Sequence, residues 1–130
     1  MSAAPRILVV EDEQVLAENV KKFLARRSSD VRIASDGRCA MHMIESFSPD
    51  VVVLDYGLPD SNGLQIYADM VRYSSCPIGC VMITGYPLEN INHPANKLGI
   101  HHLLCKPFSL AELQHMVDQS AAEARGRHVH

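Results

Sequence analysis

The chain has no tryptophan, and its aromatic content is only four tyrosines and three phenylalanines in 130 residues. Ligand binding must therefore be followed by calorimetry or NMR rather than by indole fluorescence. No apolar run approaches the roughly 18 to 20 residues that span a bilayer, and Met1-Ser-Ala-Ala-Pro-Arg6 lacks the apolar core of a secretory signal. Both absences point to a cytoplasmic protein with no membrane partner. Twelve Lys and Arg against 15 Asp and Glu give a net charge of -3, without the basic excess of a nucleic-acid binder. The four cysteines, Cys39, Cys76, Cys80 and Cys105, contain no CxxC pair, which argues against a zinc knuckle or redox motif. In a reducing compartment they read as small buried hydrophobes. No glycine-rich loop follows the first apolar run; Glu11 and Asp12 stand there and would repel a nucleotide phosphate.

What is present fits one domain with a substantial core: 47% of residues are apolar and 21% charged. Arg6 to Val10 and Val51 to Leu54 are short continuous apolar runs, the pattern of strands buried on both faces of a parallel sheet. Ile78 to Ile83 repeats that pattern, while the runs at 31–35 and 101–105 are weaker. Leu16, Val20, Phe23 and Leu24 share a helical stripe that extends to about Arg27. A second stripe holds Ala40, Met43, Ile44 and Phe47, and a third Leu64, Tyr67, Met70 and Val71. Thr84 to Leu98 should hold a fourth helix, interrupted by Pro94. Ser109 and Glu112 form a capping box for a last helix ending near Ala124. Five strands alternating with five helices predict a doubly wound five-stranded parallel sheet in three α/β/α layers. The expected limits are an N-terminal extension at 1–5, the domain at 6–124, and a loose tail or start of a linker at 125–130.

Ligands in such sheets bind beyond the carboxyl ends of the strands. Those ends carry Glu11, Asp12, Asp55, Thr84 and Lys106. Any one of them alone is an ordinary loop residue, but five on one edge are harder to explain that way. Clustered carboxylates repel one another unless a cation neutralises them, and a hard divalent ion such as Mg²⁺ matches an all-oxygen set. Nucleophile, metal and fixed positive charge are the parts of a phosphoryl-transfer site.

Four stretches resemble the receiver domain of two-component response regulators: Ile7-Leu-Val-Val-Glu-Asp-Glu13, Val52-Val-Leu-Asp-Tyr-Gly-Leu-Pro-Asp-Ser-Asn-Gly63, Met82-Ile-Thr-Gly85 and Cys105-Lys-Pro-Phe108. The resemblance covers residues 6 to about 124 and implies the flavodoxin-like receiver fold. It further implies that Asp55 accepts a phosphoryl group, as an aspartyl phosphate, from a sensor histidine kinase, a phosphotransfer protein or a small donor. By the same resemblance Asp12, Asp55 and the backbone carbonyl of Gly57 bind Mg²⁺, and Glu11 acts through metal-bound water. Thr84 and Lys106 would contact phosphoryl oxygens, and the Lys106-Pro107 peptide would be cis. The family is a switch rather than an enzyme acting on an external metabolite. Its phosphorylation controls a downstream output, which in longer members is transcription through a following domain, and some members form homodimers.

Two departures from the pattern stand out. The family's aromatic switch position, three residues before the lysine, is Leu103 here, so Tyr86 or the loop from Pro87 to Pro94 is expected to carry the change instead. Pro94 also interrupts the helix on the family's usual output face. A phosphatase or phosphotransferase using an aspartyl phosphate is the rival from another class, but Gly57 stands where such enzymes commonly place a second acid. A passive, degenerate receiver is disfavoured by the complete set of five strand-end residues.

Overall fold

The computed structural model describes residues 4–28 and 30–129. Five strands, β1 (Arg6–Val10), β2 (Asp30–Ala34), β3 (Val51–Asp55), β4 (Gly79–Thr84) and β5 (His102–Cys105), alternate with α1 (Gln14–Leu24), α2 (Gly37–Phe47), α3 (Gly63–Tyr73), α4 (Asn92–Lys97) and α5 (Leu110–Val129). All pairings are parallel, in the order β2-β1-β3-β4-β5. The expected doubly wound sheet is therefore present, and strand order reverses between β1 and β3, where such folds open a crevice.

Alternation along the strands divides the core in two. Ile7, Val9, Val53, Val81 and Ile83 pack with Val20 and Leu24 of α1 and with Leu113, Val117 and Ala121 of α5. Leu8, Val10, Val52, Leu54 and Met82 pack on the other face with α2, α3 and Ala95 of α4. Every residue of β3 and β4 is buried, which is why both read as continuous apolar runs.

Three expectations are corrected. The last helix is longer than expected: α5 runs to Val129 rather than ending near Ala124, because Ala121, Ala122, Ala124 and Arg125 are strong helix formers and Gly126 costs only about 1 kcal/mol against alanine. The N-terminal residues 1–3 and His130 lie outside the described residues. Pro94 does not interrupt its helix; it occupies the first turn of α4, where no intrahelical N–H bond is lost. What shortens this region is its division into a 3-10 turn, Leu88–Asn90, and a six-residue α4 that ends before Gly99, a residue at φ +85°. Finally, only Cys80 is a buried cysteine; Cys39 is half-buried, Cys76 and Cys105 are exposed, and all four are free.

Candidate functional site

Strand ends build the site. Glu11 follows β1, held by its N–H to the Ala34 carbonyl at 3.0 Å, and its side chain is almost fully buried. Asp55 closes β3 and is 4% exposed. Asp12 is exposed beside them. One carboxylate oxygen from each of these three residues lies within 4.8 Å of the others. They form the only such group of metal-ligating side chains among the described residues. The sequence-predicted acids are thus brought together as expected.

Lys106 bridges Glu11 and Asp55. Its Nζ lies 3.1 Å from Glu11 Oε1, 3.2 Å from Asp55 Oδ2 and 3.4 Å from Glu13 Oε1. The Lys106-Pro107 peptide is cis. Burial alone would lower the Lys106 pKa, but the Glu11 and Asp55 carboxylates outweigh it and push the ammonium up to about 12. Burial also drives the Glu11 carboxyl up to about 7; Asp55 adds to the rise, while the Glu13 N–H and Lys106 oppose it. Glu11 Oε2 accepts the Glu13 N–H at 3.0 Å. Glu11 Oε1 has Lys106 as ionic neighbour but no aligned hydrogen-bond donor. A buried carboxylate oxygen left in that state, among oxygen ligands only, suits a hard cation such as magnesium.

The loop from β3 to α3 forms the floor. Gly57 N–H donates to Asp55 Oδ1 at 3.1 Å, and Gly57 bridges Asn62 across the loop. Gly63 N–H then donates to the Tyr56 carbonyl at 2.8 Å. A Cβ on Gly63 would meet the Asp55 carbonyl oxygen at 2.8 Å and Tyr56 Cα at 3.0 Å, both backbone atoms. Only glycine lets the start of α3 approach this closely, which explains the Gly eight residues after Asp55.

Thr84 is fully buried at the end of β4, and its Oγ1 accepts the Tyr86 N–H at 2.8 Å. The Tyr86 ring meets Tyr56 edge-on at 5.6 Å between centroids and lies over Gly57. Leu103 is half-buried, pairs with Met82 in register and packs into the core under α2, α3 and α4. Glu13 is the one participant that sequence reasoning left without a role. It stands in the acidic stretch after β1, but only the return of β5 reveals its approach to Lys106.

The response regulator receiver domain family matches residues 7–118. The chain is 35% identical over 121 residues to the alkaline phosphatase synthesis transcriptional regulatory protein SphR of Synechococcus elongatus, covering 86% of this chain and 47% of that protein. It is 33% identical over 110 residues to the transcriptional regulatory protein BaeR of Escherichia coli, covering 84% and 45%. The chain thus spans about half the length of these relatives. Among solved structures, the receiver domain of the Francisella response regulator 1452 superposes with a TM-score of 0.79 at 26% identity, covering 92% of this chain and 98% of that one. A CheY-like receiver from Methanospirillum hungatei shares the fold with a TM-score of 0.85 at 24% identity, covering 97% and 99%. With strand order, acid cluster, bridging lysine and family match in agreement, the chain belongs to the response regulator receiver domains, the phosphorylation-dependent switches of two-component signalling.

Proposed function

We propose that Asp55 is the phosphoacceptor of this domain. The observation that supports it most directly is a single ammonium, Lys106, set within 3.2 Å of the Asp55 and Glu11 carboxylates at the switch point of the sheet. An Asp55 carboxylate oxygen attacks phosphorus, a P–O bond to aspartate forms, and the bond from phosphorus to the donor's imidazole nitrogen or acyl oxygen breaks. The leaving group takes the electron pair of that bond. Lys106, already paired with Asp55, is placed to accompany the charge onto a phosphoryl oxygen, and the buried Thr84 hydroxyl is the remaining donor at the fourth strand's end.

Asp12, Asp55 and the Gly57 backbone carbonyl would hold Mg²⁺, with Glu11 acting through water. When bound, the ion supplies positive charge that offsets repulsion between an acid cluster and an incoming phosphate dianion. The donor is a sensor histidine kinase, a phosphotransfer protein or a small acyl phosphate, in keeping with a cytoplasmic location. The domain is a phosphorylated switch rather than an enzyme with an external substrate. A transcriptional output through a following domain, and dimerisation, belong to the same reading, since SphR and BaeR are transcriptional regulatory proteins.

Incubation with acetyl phosphate and Mg²⁺ should add one phosphoryl mass to the intact chain. EDTA and Asp55→Asn should each abolish it. Modification that persists in Asp55→Asn, or proceeds unchanged in EDTA, refutes the assignment.

A further inference from the structure

Leu103 leaves the domain without an aromatic side chain on β5 to answer Thr84. An aromatic ring does stand on the other side of that threonine. We infer that Tyr86 is the aromatic partner of Thr84 in this chain: when Asp55 is phosphorylated, the Thr84 hydroxyl turns to the phosphoryl group, releases the Tyr86 N–H, and the Tyr86 ring leaves its seat on Gly57 and Tyr56. The inference rests on Asp55 being the phosphoacceptor.

Three contacts make the connection continuous. Thr84 Oγ1 accepts the Tyr86 N–H at 2.8 Å, so the resting rotamer of a fully buried threonine is tied to the backbone of residue 86. The Tyr86 ring meets Tyr56, the residue after Asp55, with planes 75° apart. A Cβ on Gly57 would be 3.2 Å from a Tyr86 ring carbon, while the Gly57 N–H holds Asp55 Oδ1 at 3.1 Å. Tyr86 therefore touches both the hydroxyl that is to turn and the loop that carries the acceptor.

The balance of forces favours motion. A threonine side chain moves between staggered rotamers, and a hydrogen bond to a dianion is roughly twice as strong as one between neutral groups. The Tyr86 N–H that is given up lies in an exposed residue, where water replaces the lost acceptor. Tyr86 as a whole is 57% exposed, so little packing opposes its departure. Leu103 has neither property: it packs into the core and has no polar tip. Pro87 and the 3-10 turn Leu88–Asn90 follow directly, so displacement of Tyr86 is handed to the segment leading into α4. Tyr86 is in this sense a positioning residue acting through Thr84.

The test uses the full chain labelled with 3-fluorotyrosine at its four tyrosines, with Mg²⁺ and beryllofluoride as the phosphoryl mimic. The Tyr86 resonance is identified by its loss in Tyr86→Phe. Expected are a bound-beryllofluoride resonance, a Tyr86 shift of more than a linewidth, loss of that shift in Thr84→Val with the mimic still bound, and its return in Thr84→Ser. Leu103→Ala should leave it intact. A Tyr86 signal that stays still while beryllofluoride is bound, or moves equally in Thr84→Val, overturns the relay alone. Absence of any bound-beryllofluoride resonance in the wild-type chain overturns the phosphoacceptor reading and the relay with it.

Discussion

Glu11 and Asp12 are sequence neighbours in opposite surroundings, one buried against Lys106 and the Glu13 N–H, the other exposed at the rim. The exposed carboxylate can meet a hydrated cation directly. In the proposed site the buried one, which already faces Lys106, would contribute through water. Asp12→Ala should therefore weaken Mg²⁺ binding more than Glu11→Ala, whose loss should be about 10 to 100-fold, as is typical of groups that act through a ligand. Calorimetric titration of the two variants checks this, and equal losses would contradict it. The placement of Asp12, Asp55 and Lys106 on one edge was legible in the sequence because each directly ends or follows a recognisable strand. Glu13 was not, because its partner lies 93 positions away and only the placement of β5 brings the two side chains together.

Among the elements, α2 shows how the loop carrying the site also supports the fold. Its own N-cap, Asp36, accepts the Cys39 N–H at 2.8 Å. Asp60, from the loop between β3 and α3, accepts two more orphan donors, Gly37 N–H at 3.0 Å and Arg38 N–H at 3.2 Å. The Gly37 N–H foremost holds the Asp60 carboxyl below its ordinary pKa. A carboxyl whose folded pKa is depressed stabilises the native state above its unfolded pKa, near 3.9, and loses that contribution as pH falls through the folded value. Asp60→Asn should thus lower Tm at pH 7, and the difference from the wild type should shrink as pH drops below about 4. Thermal melts by circular dichroism across this range test it; a difference that does not change with pH would exclude a charge-dependent cap. Asp36 lies three residues from its donor, whereas Asp60 lies 23 residues from its first donor and carries no local signal. At α4 the reading failed differently, because local pattern shows where a proline falls but not whether the backbone has already entered a first turn.

Across the whole molecule, α5 lies directly on the sheet at Gly79. A Cβ there would come within 2.8 Å of the Ser120 carbonyl oxygen and clash with its side chain. Since α5 also packs on β3, β5 and α1, displacing it disturbs one complete face of the core. Gly79→Ala should cost about 1 to 3 kcal/mol through overpacking, whereas Gly126→Ala, with no atom near its Cβ, should add up to about 1 kcal/mol of helix stability. Urea unfolding measures both; a neutral Gly79→Ala would show that α5 tolerates displacement. By itself the sequence determined the elements and their class, because buried strands and amphipathic helices differ in apolar period, and it determined the five chemical groups because each stands at a strand end. Only the tertiary structure decided which groups touch: the three-way pairing of Lys106, the Asp60 cap, the seat of Tyr86 on Gly57, and the close seat of α5 on Gly79. Period and spacing are properties of neighbours along the chain, while these contacts arise where crossovers return distant segments to one edge.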